Sequence, residues 1–288
     1  MTRSIVQPGL APRGGRWFWR SALPPAVCFA SAQVVLWCAA VSARASFWST
    51  GAFVRWDAFQ YLDIAKHWYY VIGCPSVGYP KASVCGNAGW FPTYPLLISG
   101  LHRVGVSRPL SAVLLAAAFQ LAVLVVVWAS LGTRVTVRTV ATLFFASSFL
   151  SEVYLRAAFP ISMCVLFLLL SLVLIARRRW ALAAACGAIA AASYPTAVIL
   201  APAVVASALL QGRHLLRPSL VVALVTVGGF ASVVVVQDLQ THRWDAFFEV
   251  QQKYGNGMHE PVSAFVRSLD PPSPPPCART QTDRKSVV

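Results

Sequence analysis

The sequence predicts an all-α, polytopic integral membrane protein. About six to eight hydrophobic helices and a long first extracytoplasmic loop with an amphipathic interfacial helix are expected. Composition points there first: 57% of residues are hydrophobic, 11% are charged, and mean hydropathy is +0.63. Soluble globular chains do not show that balance. Apolar runs near the ~20 residues that cross a bilayer as helix recur along almost the whole chain, which is not the pattern of a single cleaved signal segment. The net charge of +15 is the third observation. Its arginines cluster at segment ends, in "RGGRWFWR", "TRVTVR", "ARRRW" and "GRHLLR", as in loops beside a membrane. No zinc spacing, glycine-rich phosphate loop or nucleic-acid module occurs, so the expected partner is the membrane and not nucleic acid.

Residues 1–21 are polar and basic and read as a cytoplasmic tail, whose four arginines place the N-terminus inside. A hydrophobic core is expected over 22–236. Its first span covers about 22–43, and an external loop follows at 44–92. Further apolar segments lie at 93–104, 109–131, 139–151, 159–176, 180–193, 194–211 and 219–236. Pro195 and Pro202 are expected to kink or break their helices. If every segment crosses, "ARRRW" falls outside, against the positive-inside rule. The expectation is therefore that 93–104 or 139–151 does not cross. A polar-aromatic segment follows at 237–270, then a proline-rich tail at 271–288 that cannot form helix. The last six residues, "DRKSVV", match the in-frame translation of a common sequencing adapter. A truncated gene fragment ending in artefact is expected. The excess of arginine over lysine, with abundant alanine and valine, suggests a bacterial plasma-membrane protein.

Cys28, Cys38, Cys164 and Cys186 lie in apolar segments and read as small buried residues. Cys74 and Cys85 both lie in the first loop, where an oxidising compartment permits a disulfide; two free thiols are the alternative.

The stretch with chemistry is "VRWDAFQYLDIAKHWYY", residues 54–70. Asp57 opens a helix on which Asp57, Gln60, Tyr61, Ile64 and Trp68 share a face. Its aromatics suit a bilayer interface. Read from residue chemistry alone, Asp57 is an N-cap and Gln60 completes a capping-box analogue. Asp63 lies six residues on and points elsewhere, as a helix-face charge beside Lys66 or His67.

"RWDAFQYLDIAKHWYY" followed by "GWFPTYPLL" resembles the signature stretches of the phosphatidylinositol-glycan class V-type mannosyltransferases and their actinobacterial relatives. These belong to the polytopic glycosyltransferase clan C. Trp56-Asp57, Tyr61, Ile64-Ala65 and Phe91 through Leu97 carry the match. Weaker similarity runs through "SSFLSEVYLRAAF" and "AAASYPTAVILAP". Arg156 and Tyr194 depart from the family pattern. An arginine at 156 within apolar surroundings suggests either an ion pair with Glu152 or a span end in water.

The resemblance implies a transferase of lipid-phosphate-linked sugar with Asp57 as catalytic base. An acceptor hydroxyl needs a carboxylate within reach to take its proton. Cations would stabilise the departing lipid phosphate. Arg55, Gln60, Tyr61, Lys66, His67 and Tyr94 are candidate substrate contacts. Gln251, Lys253, Tyr254 and His259 join them from "THRWDAFFEVQQKYGNGMHEP", residues 241–261, which resembles a later loop of the family. The string "RWDAF" recurs there at 243–247, but its flanks do not align, and the repeat reads as coincidence.

No cofactor is predicted. His67, His102, His214, His242 and His259 lack a metal-ligand spacing, so no divalent ion is indicated. The expected partners are a lipid-linked sugar donor and a glycan, lipid or protein acceptor. The alternative is a non-catalytic membrane protein, such as a lipid-linked-sugar transporter or assembly subunit, or an inactive gene fragment.

Overall fold

The computed structural model describes residues 22–44, 46–74, 84–131, 135–147 and 155–252. These residues form ten α-helices and one two-stranded sheet. They divide into two compact units, one from 22–66 with 91–231 and one from 67–90 with 232–252.

The first unit is a helical bundle. Helix α1 spans Leu23–Ser42 and opens on prolines, whose missing N–H groups cost nothing in a first turn. A single 3-10 turn, Thr50–Ala52, precedes α2 at Ala58–His67. Then come α3 at Thr93–Arg103, α4 at Arg108–Ser130, α5 at Val135–Ser147, α6 at Ile161–Ala176 and α7 at Trp180–Ser193. Helix α8 spans Leu200–Gln211, and α9 spans Leu216–Thr241, of which the part up to residue 231 belongs to this unit. Among the described residues, three segments are long and apolar enough to cross a membrane: Leu23–Ser42, Arg108–Ser130 and Arg213–Thr241. Four shorter apolar helical segments accompany them: Val135–Phe144, Ile161–Ala176, Trp180–Ser193 and Pro195–Gln211.

Packing orders these helices by direction. Cys28 and Ala32 of α1 cluster with Leu124 of α4 and Ala146 of α5. Arg156, just before α6, bonds both Gln33 and the Val113 carbonyl, so α4 runs antiparallel to α1 and α6 starts beside the start of α4. Val123 and Val127 of α4 pack on Leu166 of α6. Helices α6 and α7 form a hairpin across Arg177–Arg179, tied by the Ser171 hydroxyl donating to the Ala183 carbonyl at 2.9 Å. The end of α7 is tied to the start of α3, where the Thr93 hydroxyl donates to Ala192. Helix α3 has only 11 residues, about 16 Å at helical rise and half a hydrocarbon core. It folds back on its neighbours: the Tyr94 hydroxyl bonds the Ala112 carbonyl of α4, and Ser99 bonds Ala65 of α2.

The bundle therefore has two distinct ends. One carries 46–57, 91–93, 104–108, 155–160 and 192–195. The other carries the start of α1, the end of α4 and the turns after α6 and α8. Because α3 does not run the length of the bundle, Arg177–Arg179 share that second end with Arg138, Arg213 and Arg217.

Close approach sets the α7–α9 contact. A Cβ on Gly229 would collide with the Ala188 backbone, and one on Gly187 with Thr226. Small residues let helices meet this closely.

Five expectations change. Cys38 is exposed and not buried, because α1 buries only Pro25, Cys28 and Ala32. Trp68 does not continue the α2 face, because the helix ends at His67 and Trp68 has φ +64°. The buried face is Ala58, Tyr61 and Ile64. Pro202 lies in the first turn of α8, where it removes no helical bond, so only Pro195 marks a break, after Tyr194 turns extended. Helix α9 continues to Thr241, five residues past the expected end at 236. Arg156 is 8% exposed, so it does not meet water; Glu152 lies outside the described residues.

The second unit is a clasp. Strands β1 (Val71–Gly73) and β2 (Val84–Gly86) pair antiparallel with Ile72 opposite Cys85, and Cys74 and Cys85 are joined by a disulfide. Buried Asn87 accepts from the Tyr70 amide and donates to the Trp68 carbonyl at 2.8 Å. The Tyr69 hydroxyl donates to Trp90 at 2.8 Å, and burial pushes its pKa up. From α9, the Gln237 amide donates to the Ala88 carbonyl at 2.7 Å. Helix α10 (Ala246–Gln252) packs Val250 against Gly89, where a Cβ would collide.

Candidate functional site

Asp57 stands at the N-cap position of α2. Its carbonyl accepts from the Gln60 amide at 2.9 Å and the Tyr61 amide at 3.4 Å, and its side chain is exposed. The turn before it is fixed by the Ala58 amide donating to Arg55, with Trp56 at φ +48°. A left-handed tryptophan is unusual and is held by its surroundings. Here the Phe53 carbonyl accepts from the Ala158 amide at 3.0 Å, and the Trp56 ring lies 6.2 Å from Phe159.

Arg55 lines a cleft of about 660 Å³ with Ser46, Ser49, Thr50, Gly51, Ala52, Val54, Phe59, Leu62 and Pro109. Asp57 lies in the chain between Arg55 and Phe59. Among the described residues, no carboxylate pairs with Arg55 and no cation pairs with Asp57.

The second "RWDAF" opens a helix at the same register, although Trp244 does not share the left-handed backbone of Trp56, a parallel that the sequence alone left as coincidence. Ala246 opens α10 as Ala58 opens α2, with its amide on the Arg243 carbonyl and the Glu249 amide on the Asp245 carbonyl. Trp244 is exposed, as Trp56 is. The signal was the pentapeptide itself, because a helix entry needs no matching flanks. The copies differ in charge pairing. Arg243 grips Asp245 through two bonds of 3.1 Å, and these hold the Asp245 carboxyl below its ordinary range.

The other candidates fall into groups. Lys66 and His67 are exposed and Gln60 is half-buried, all on α2 with Asp57. Tyr61 and Tyr94 are 3% and 0% exposed, with rings 6.0 Å apart edge to face. They serve packing, and neither ring is open to a ligand. Gln251 donates to the Gly89 carbonyl at 2.8 Å and holds α10 in its unit. Lys253, Tyr254 and His259 lie outside the described residues. Among the described residues, no group of three His, Cys, Asp or Glu side chains could hold a metal ion.

Compared with known proteins, the chain matches no family model, no curated protein and no solved structure.

Proposed function

We propose that the chain is a membrane glycosyltransferase of mannosyl type. It moves a sugar from a polyprenyl-phosphate donor to an acceptor on the extracytoplasmic side of a bacterial plasma membrane. Asp57 takes the acceptor hydroxyl proton as the new glycosidic bond forms and the sugar–phosphate bond breaks. The carrying observation is that Asp57 is exposed and unneutralised by its own arginine, whereas Asp245 in the same pentapeptide is tied up. The resemblance of 55–70 and 89–97 to the mannosyltransferase signatures supports the choice of chemistry. The two-ended bundle supports seven crossings, α1 and α4 to α9, with α3 on the outer side and the basic turns on the cytoplasmic side. The test is transfer by membranes containing the full chain, using radiolabelled polyprenyl-phosphate mannose and a cell-wall acceptor mixture. Labelled product from wild type and none from Asp57→Asn is expected. No product from either sinks the reading.

A second reading, a transporter of lipid-linked sugar, is favoured by one observation. Gln120 in α4 is fully buried, and among the described residues neither of its amide atoms is bonded. The Gln33 amide nitrogen and the Thr142 and Ser162 hydroxyls are likewise unbonded on α1, α5 and α6. Polar groups inside a span commonly line a substrate path. Gln120→Leu would abolish transport under this reading and leave transfer intact under the first.

A further inference from the structure

We infer that the cleft beside Asp57 seats the phosphate of a membrane lipid, with Arg55 as the anion-binding side chain. The inference rests on the transferase reading for the identity of that lipid, a polyprenyl phosphate, and adds where it is held. Three observations carry it.

The first is the chemistry of the lining. One stretch supplies Ser46, Ser49, Thr50 and Arg55, and the remainder of the lining is small or apolar, including Val54, Phe59, Leu62 and Pro109. A cation with hydroxyls beside an apolar wall matches a phosphate carrying a hydrocarbon chain. A free phosphate would not use the wall, and a neutral lipid would not use the arginine. The volume, about 660 Å³, falls in the range of ordinary small-molecule sites.

The second is charge. In the second pentapeptide the arginine folds onto its aspartate; in the first it does not, and Arg55 faces the cleft without a carboxylate among the described residues. Arg108 adjoins the lining residue Pro109 and is the first residue of α4, where a cation opposes the helix dipole. Its Nε is buried with no partner among the described residues. An anion in the cleft would offset this cationic excess.

The third is position. Trp48, Trp56 and Phe59 around the cleft are 84%, 65% and 62% exposed. Aromatic side chains in that number at one end of an apolar bundle suit the headgroup level of a bilayer. A lipid phosphate lies at that depth.

The experiment measures binding, not transfer. The full chain is placed in nanodiscs of phosphatidylcholine and titrated with labelled farnesyl phosphate, with farnesol and inorganic phosphate as competitors. Saturable binding is expected, weakened about tenfold or more in Arg55→Gln, as the loss of a charge-assisted bond implies. Arg55→Lys should keep part of the affinity. Arg243→Gln, the matching change in the second pentapeptide, should have no effect. Asp57→Asn should still bind. Unchanged affinity in Arg55→Gln overturns the assignment, as does displacement by farnesol as effective as by farnesyl phosphate. Displacement by inorganic phosphate at equal concentration also overturns it, because the apolar wall would then contribute nothing. Arg55 is exposed, so a folding defect is not expected; far-UV circular dichroism and gel filtration check each variant. Arg55-dependent binding without any sugar transfer would leave the cleft standing and remove the transferase. Transfer without Arg55-dependent binding would do the reverse.

Discussion

The guanidinium of Arg156 lies 3.9 Å from the centroid of the Phe53 ring. Its Nε donates to Gln33 at 2.8 Å, so one buried cation ties α1, the segment before α6 and the loop that leads to Asp57. A desolvated cation–ring contact contributes about 2 kcal/mol. Arg156→Met and Phe53→Leu should each destabilise the chain, and the double variant by less than the sum, with a coupling of about 2 kcal/mol. Unfolding in mixed micelles measures this. Additive losses would show that the ring and the cation act separately. Arg156→Lys should not restore the pair, because an ammonium lacks the planar face that stacks.

The Cys74–Cys85 bridge closes a loop of 11-residue separation at the end of a three-residue ladder. So short a hairpin is marginal without support. Replacing both cysteines by serine should cost about 2–3 kcal/mol in the chain-entropy picture. Thermal melts of the oxidised and reduced protein test it. Equal melting temperatures would mean that Asn87 and Tyr69 hold the clasp without the bridge.

Helices α7 and α9 meet at Gly187 and Gly229, where an added Cβ has no room. Gly229→Ala should be destabilising by about 1–3 kcal/mol, the usual range for overpacking. Gly228→Ala is the control, because nothing lies within 4 Å of its Cβ position, and alanine favours the helix by up to ~1 kcal/mol. A melt in which both variants behave alike would contradict the close approach.

The helices were legible where apolar runs were long and bounded by punctuation. The segment 180–193 sits where the sequence placed it, between the arginine cluster and Pro195. Helix α9 was underestimated because Gln237 and Asp238 look like an exit from apolar sequence; in fact Gln237 is buried and bonded to Ala88. The α2 face was misjudged at Trp68 because periodicity does not reveal a left-handed residue. At the site, Asp57 and its helix were legible from the string itself. Tyr61 and Tyr94 were candidate contacts because they stand in the stretches that carry the resemblance, but their burial comes from long-range packing that local spacing does not encode. The cleft was not legible, since Pro109 and Leu62 join it only through the fold.

The bundle directions predict sidedness. In a chain stripped of its other free cysteines, Val104→Cys should react with an impermeant thiol reagent in intact cells, and Arg177→Cys only after permeabilisation. Both positions are exposed in the structure. Labelling of neither or of both in intact cells would mean that one of α4, α5 and α6 does not cross. Reaction of Arg177→Cys alone would mean that α3 crosses or that the whole chain is inverted.

Asp57 and Asp245 offer a comparison that the repeat makes unusually clean. Both occupy the N-cap position after Arg-Trp, and both helices start at a fully buried alanine. Asn caps a helix about as well as Asp, so Asp57→Asn and Asp245→Asn should both fold. What they remove differs. At 245 the loss is a surface ion pair at 3.1 Å, and such exposed, solvent-screened pairs contribute little to stability. At 57 the loss is an unpaired carboxylate. If Asp57 is the base, its Asn variant should transfer sugar about 10²-fold more slowly or worse, with donor binding retained, while the Asp245 variant stays near wild type. Steady-state transfer rates for the three proteins decide it. Equal activity of Asp57→Asn and wild type would return Asp57 to a capping role. Equal loss in both variants would mean that the pentapeptide acts through helix entry and not through a proton.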